Sequence, residues 1–205
     1  SDRRLNDNFS DTKPEGYQNI KDSFEESIAN IKTYMEDGKS VAFAETGYGD
    51  PAIIISTPKV LKRLSDERIQ NNLPAHVKAN AKFTYGSLLD NFSITLSTTS
   101  YKDTTSVDLD RVIEYDLKNM ELLGAQNITV KEEDYEDPKG LTGKKAEGTF
   151  VAINPITKKT AKMVYQVLVF AQNGGGQELW LVCKEDDEYA IEIMKRVLDS
   201  LELKK

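Results

Sequence analysis

The stretch that most constrains the fold covers residues 163–171, which read Met-Val-Tyr-Gln-Val-Leu-Val-Phe-Ala. Only Gln166 is strongly polar, and β-branched and aromatic residues dominate the run. This pattern predicts a β-strand with apolar side chains on both of its faces. Because both faces must be shielded from water, the sequence predicts a central sheet with a packing layer on each side.

A glycine-rich turn follows this strand, with the sequence Asn-Gly-Gly-Gly over residues 173–176. Glycine and asparagine supply the positive-φ positions that a tight hairpin needs. The apolar run at 179–183 is therefore predicted to return as an antiparallel partner. A phosphate-binding loop is the alternative, but it needs a helix directly behind the glycines, and here a strand follows.

Periodicity predicts the remaining elements. Apolar residues recur at helical spacing over 20–35, 108–123 and 186–201. A further helix is predicted to begin at Thr57 as N-cap and Pro58 as first residue, and to stop at Leu73. Short or alternating runs predict strands at 41–44, 52–55, 77–85, 92–97, 128–130 and 146–153. These elements together predict a single antiparallel sheet with the helices 108–123 and 186–201 packed on it.

The charge of the chain disfavours one class of partner. The formal net charge is −7 and the pI is near 4.9. A protein that binds nucleic acid nonspecifically needs a positive field against phosphates, so we expect no nucleic-acid partner. No run approaches the roughly 18 apolar residues of a membrane-spanning helix.

The first sixteen residues are polar and have few apolar anchors, so we expect a flexible tether ahead of a single domain over 17–205 that begins with a helix and hairpin extension. The chain starts with Ser1 and has one cysteine, Cys183, which excludes an internal disulfide. A tether behind a processed N-terminus is typical of a lipid-anchored bacterial protein, and we therefore favour an extracytoplasmic location. The alternatives are a cytoplasmic protein and a sequence that merely begins at a domain boundary.

Residues that could catalyse are few. His76 is the single histidine, and it stands at the head of an alternating strand with no serine or aspartate motif near it. We therefore interpret it as a structural or surface residue. Cys183 lies in an apolar run, where a thiol packs as a small hydrophobic group and stays protonated. We expect it to be buried and unreactive.

The densest acidic run covers residues 132–137, Glu-Glu-Asp-Tyr-Glu-Asp. It lacks the glycine-bent loop and the alternating ligand spacing of a calcium-binding loop. We interpret it as a solvated strand end and loop, although Asp134 and Asp137 could join a weak calcium site. We expect neither a bound metal nor a cofactor.

The best exposed binding candidate in the sequence is the loop over residues 47–51, Gly-Tyr-Gly-Asp-Pro. Loops held by a rigid scaffold often carry function, so Tyr48 and Asp50 are candidate partner-binding residues. The alternative is a plain connector between two strands.

The order of elements resembles the PsbP-like superfamily over residues 76–203. The residues that carry the resemblance are Asp-Asn-Phe-Ser-Ile-Thr-Leu at 90–96, the helix at 108–123, and Gly-Lys-Lys-Ala-Glu-Gly at 143–148. Leu-Trp-Leu at 179–181 and Val-Leu-Asp-Ser-Leu at 197–201 complete the pattern. The resemblance implies an α+β fold, an α/β/α sandwich with a central, mainly antiparallel sheet flanked by helices. It also implies binding or accessory roles, and it carries over no functional residue.

The sequence therefore favours a non-enzymatic binding or accessory protein, with another protein as its partner. One alternative is a cytoplasmic adaptor or chaperone for a protein helix, which would show an exposed apolar groove. The other is a carboxylate-dependent hydrolase, which would show a cleft with two or more acids of perturbed pKa.

Overall fold

The computed structural model describes residues 43–64, 73–86, 92–103, 107–172 and 174–203. The strands in these ranges are β1 (Ala44–Tyr48), β2 (Ile53–Thr57), β3 (Lys62–Arg63), β4 (Val77–Tyr85), β5 (Phe92–Tyr101), β6 (Lys131–Glu136), β7 (Thr142–Ile153), β8 (Thr160–Phe170), β9 (Gly175–Lys184) and β10 (Glu202–Leu203). The helices are α1 (Leu109–Leu122) and α2 (Glu188–Asp199).

A seven-stranded sheet in the order β3-β4-β5-β9-β8-β7-β6 forms the centre, and each pair of neighbouring strands is antiparallel. A second, three-stranded sheet has the order β1-β2-β10. The predicted α+β class and the mainly antiparallel sheet flanked by helices are confirmed. The prediction of a single sheet is wrong, because β1 and β2 pair with each other and with β10 instead of joining the large sheet.

Strand β8 is buried on both faces, as its sequence predicts. Tyr165 and Val167 point to one face, where Ile113 and Met120 of α1 pack in the same cluster. Leu168 on the other face is fully buried. On that side, α2 packs against β9 and β2. Each face of the strand therefore has its own apolar layer.

The predicted hairpin and helix ends are also confirmed. Gly174 joins β8 to β9 with φ of 74°, a conformation that glycine adopts without steric cost. Helix α1 begins after Asp108, whose carboxylate accepts a hydrogen bond from the Arg111 N–H at 3.2 Å. Helix α2 begins after Asp187, whose carboxylate accepts from the Ala190 N–H at 3.0 Å.

The helix predicted from Thr57 is wrong over the described residues up to Leu64. The Thr57 hydroxyl donates to the Lys59 carbonyl at 2.5 Å instead of accepting from a helical N–H. The chain then forms β3 against β4, and the Leu64 N–H donates to the Lys82 carbonyl at 2.8 Å. Pairing with the sheet edge overrides a local preference that is worth only a few tenths of a kcal/mol per residue, on the order of 0.5. Residues 65–72 lie outside the described residues.

The strand predicted at 128–130 is displaced, and the acidic run is a strand rather than a loop. Strand β6 covers Lys131–Glu136 and pairs with β7. The register sets Glu133 opposite Lys145 and Asp134 opposite Lys144. Opposite charges on directly facing residues stabilise a strand pair, which offsets the low β-propensity of the acids.

The predicted helix at 20–35 and the tether at 1–16 lie outside the described residues. Neither of the two described helices has the length and apolarity that a membrane span requires.

We predict that Cys183 reacts slowly with thiol reagents in the native protein. The side chain is fully buried, and burial, with the nearby Asp187 carboxylate, raises the pKa of its thiol to about 11. Because the thiolate is the reactive form, labelling requires opening of the sheet. The measurement is the labelling rate with and without denaturant, and rapid labelling of the folded protein would contradict this prediction.

Candidate functional site

A pocket of about 530 Å³ lies between the C-terminal half of α1 and strands β4, β5 and β9. Apolar side chains form most of its wall: Leu64, Met120, Leu122, Leu123, Ala125, Phe150, Trp180 and Val182. Polar side chains occupy the rest: Lys82, Thr84, Ser93, Thr95, Asp116 and Asn119. An apolar cavity of this size with a few polar groups is the usual form of a ligand-binding site.

The strand register builds the polar side of the pocket. Lys82 on β4 pairs with Ser97 on β5, which in turn pairs with Glu178 on β9. Neighbouring strands are about 4.8 Å apart, so the two charged residues stand about 10 Å apart at their backbones. Side chains alternate along β9, and Glu178 therefore shares the face of Trp180, which packs beside the cluster under α1.

Helix α1 contributes the second carboxyl group. Asp116 lies three residues after Ile113 and four before Met120, and both of these apolar residues are buried against the sheet. Helical spacing therefore turns Asp116 toward the sheet as well. It keeps only 9% of its surface exposed.

Asp116, which lines the polar side of the pocket, forms a carboxyl pair with Glu178, which is half-buried and does not line the pocket. Their side chains are within hydrogen-bonding reach of each other. The Trp180 indole N–H donates to Glu178. Asp116 Oδ2 receives no hydrogen bond from any N–H or hydroxyl group. An ionised carboxylate only accepts, so this contact requires a proton shared between the two acids.

Burial and mutual repulsion alter the acidity of both groups. Burial first, and then the charge of Glu178, raise the pKa of Asp116 to about 8. Burial also raises the pKa of Glu178, while the Trp180 N–H and the Lys82 charge oppose that rise. Because two contacting acids cannot both ionise easily, Asp116 keeps its proton at neutral pH.

The described lining residues of the pocket do not form the groupings of two common hydrolase sites. Serine and threonine hydroxyls line the pocket, but the lining residues that the structure describes include no histidine to activate them. Glycosidases hold their two carboxyls at least about 5 Å apart, so that a sugar or a water fits between them. A pair in hydrogen-bonding contact leaves no such space.

Tyr48 and Asp50, the binding candidates from the sequence, differ in solvent exposure. Tyr48 belongs to β1 and is only 3% exposed. Its ring packs on Phe83, and its hydroxyl accepts a hydrogen bond from the Leu61 N–H at 3.0 Å. The expectation of an exposed tyrosine is therefore wrong, because this side chain anchors the segment that leads into β3.

Asp50 is exposed at the turn between β1 and β2. Its N–H donates to the Thr98 hydroxyl at 3.2 Å, which ties the turn to the large sheet. The neighbouring Gly49 has φ of 79°, and a side chain there would collide with Thr98. Asp50 as a partner-binding residue stays a prediction.

His76 is exposed, and its ring stacks on Tyr101 at 5.9 Å between centroids. Cys183 lies on the sheet face opposite Val182, a lining residue of the pocket. The structure brings neither residue into the pocket.

Lysines neutralise the acidic run. Lys145 contacts Glu133 at 2.7 Å and Glu147 at 3.2 Å, and Lys144 contacts Asp134 at 3.0 Å. The Asp137 carboxylate accepts from the Leu141 N–H at 2.8 Å and so shapes the β6–β7 turn. Within the described ranges, no three His, Cys, Asp or Glu side chains converge to hold a metal ion. The absence of metal binding stays a prediction.

Sequence reasoning missed Asp116 and Glu178, although each left a signal. Asp116 interrupts the apolar face of its helix, and Glu178 directly precedes the predicted apolar strand at 179–183. A charged residue at an inward position indicates a special partner. The sequence does not reveal that the two are partners of each other.

Comparisons with solved structures find similar folds at low sequence identity. No protein-family model and no curated protein matches the sequence. The chain is similar to LpqN of Mycobacterium tuberculosis, described as involved in cell envelope biogenesis, with 14% identity and a TM-score of 0.42 over 80% of this chain and 92% of that one. It is also similar to the Ran-binding protein Mog1p of Saccharomyces cerevisiae, with 13% identity and a TM-score of 0.42 over 80% of this chain and 96% of that one. At these values the similarities carry no argument about function, and the PsbP-like assignment stays a prediction.

We predict that Asp116→Asn flattens the pH dependence of stability. The folded pKa of about 8 lies above the ordinary value of 3.8, so the folded protein holds a proton that the unfolded chain has lost. This stabilising contribution is complete below about pH 4 and is lost as pH rises through about 8, at up to about 1.4 kcal/mol per pH unit.

The measurement is the free energy of unfolding by denaturant at several pH values between these limits. Glu121→Gln is the control, because it removes an exposed charge from the same helix. Parallel profiles for wild type and Asp116→Asn would show that Asp116 titrates normally.

Proposed function

We propose that this protein is a non-enzymatic binding protein and that the pocket between α1 and strands β4, β5 and β9 is its binding site. The observation that carries the proposal is the buried Asp116 carboxyl group, which has an unpartnered oxygen and lines a pocket whose wall is mainly apolar. Glu178 lies within hydrogen-bonding reach of Asp116 but does not line this pocket. Burial of a charged group is unfavourable unless a partner compensates for it. A carboxyl group that lines an otherwise apolar cavity can hydrogen-bond a ligand and fix its orientation.

The size and shape of the pocket favour a small amphipathic molecule over a flat protein surface. A volume of about 530 Å³ lies in the range of small-molecule sites. Stable protein interfaces instead bury about 800 Å² on each side. A protein partner, which the sequence favours, would reach the same pocket through the rim, where Leu122 and Leu123 are each 77% exposed.

Hydrolysis is the second candidate function, and one observation favours it. Two carboxyls with raised pKa share a proton, and one of them, Asp116, lines a cleft. Aspartic proteases use a pair of carboxyls to activate water. Binding is the better proposal because the Trp180 N–H donates to Glu178, and because only Asp116 of the pair lines the pocket. Release of peptides from casein, lost in Asp116→Asn, would favour hydrolysis instead.

An extracytoplasmic location and a lipid anchor stay predictions that rest on the polar first sixteen residues.

We predict that the protein binds Nile red, an uncharged apolar dye, at one saturable site. Leu123→Asp places a charge in the apolar wall and is expected to weaken binding by about tenfold or more. The measurement is dye fluorescence during titration with the full chain. Ile156→Asp is the matched control, because Ile156 is 87% exposed and does not line the pocket.

Equal dye affinity in wild type and Leu123→Asp would contradict the proposed site. Equal loss in Leu123→Asp and Ile156→Asp would contradict it too, because binding would then depend on general surface apolarity.

A further inference from the structure

The carboxyl pair has more acceptors than the surrounding protein satisfies. Asp116 is nine-tenths buried and lines the pocket, yet its Oδ2 receives no hydrogen bond from an N–H or a hydroxyl group. Glu178 receives one from the Trp180 indole. In the free protein, the proton shared by the two acids is the other donor that their carboxyl oxygens have.

The pair with one shared proton keeps one negative charge. Most of the surrounding wall is apolar, with Met120, Phe150 and Val182 among its side chains. A partly desolvated negative charge in such a wall interacts strongly with any cation that enters, because the local dielectric is low.

We propose that the pocket binds an apolar molecule that carries a primary ammonium group, with the ammonium against Asp116, the member of the carboxyl pair that lines the pocket, and the apolar body along the α1 side of the wall. An ammonium group has one positive charge and three N–H donors, which match one negative charge and several free acceptor positions. This inference rests on the proposed function and adds the chemistry of the ligand.

Lys82 is the group that opposes this assignment. It lies on β4, its charge acts on both carboxyls, and it would attract an anionic head group instead. Its side chain is exposed, however, whereas Asp116 is buried. Water and salt screen an exposed charge more than a buried one. Asp116 and its carboxyl partner therefore set the preference of the pocket for a cation, and the net charge of −7 on the chain adds to it.

The test compares three probes that share an eight-carbon tail: n-octylammonium, n-octanol and octanoate. The affinity of each probe is measured by its displacement of Nile red from the full chain at neutral pH. We expect octylammonium to bind about tenfold more tightly than octanol, the effect of one partly buried charge-assisted hydrogen-bonded pair. Octanoate is expected to bind more weakly than octanol.

Variants test whether the preference for octylammonium over octanol depends on Asp116 and Glu178. Replacing both acids by amides, Asp116→Asn with Glu178→Gln, removes the charge and keeps the shape, so octylammonium should then bind no better than octanol. Glu121→Gln removes one exposed acid from α1 and should change the ratio by less than about twofold. Lys82→Gln should strengthen octylammonium binding. Nile red binding by each variant shows that the pocket is intact.

Two results would overturn the inference while the proposed function stands. In the first, octanol or octanoate binds wild type as tightly as octylammonium does, although Nile red still binds. In the second, the octylammonium preference persists in the double amide variant, which would place the cation elsewhere. Failure of Leu123→Asp to weaken Nile red binding would instead reject the pocket itself.

Discussion

The burial of β8 on both faces is the constraint on which the rest of the described structure depends. Tyr165 and Val167 on one face and Leu168 and Phe170 on the other are each at most 1% exposed. Each such side chain stabilises the fold by about 1.5–3 kcal/mol only while its neighbours exclude water. One layer cannot do this for both faces, so α1 must cover one side, and α2 with the small sheet must cover the other.

The pocket results from the way in which α1 covers one face of β8. The helix packs over β7 and β8, the strands with the most apolar residues on that face. Toward β4 and β5 the same face carries Thr84, Ser93 and Thr95, which line the pocket. The sheet thus extends beyond its helical cover, and the edge of that cover is where Asp116 meets Glu178.

Acidic residues in this protein occupy two contrasting environments. On β6, Glu133 lies 2.7 Å from Lys145, and the Lys145 and Lys131 contacts lower the pKa of its carboxyl. At the pocket, Asp116 faces another acid, and its pKa rises to about 8. The first arrangement strengthens a strand pair at the sheet edge. The second weakens the fold as pH rises, and such a cost is typical of functional sites.

The sequence by itself determined the elements whose pattern is strong: β8, its hairpin to β9, helices α1 and α2 with their caps, and the buried Cys183. It failed after Thr57, where pairing with β4 outweighs a weak helical preference, and at Tyr48, whose burial depends on Phe83 and Leu61 from elsewhere in the chain. The pair of Asp116 and Glu178 shows the same limit most clearly. Asp116 was visible as a charge on the apolar face of its helix, whereas Glu178 stood outside the predicted strand. Only the tertiary structure decided that they meet, because helix packing and strand register bring together positions that local patterns treat separately.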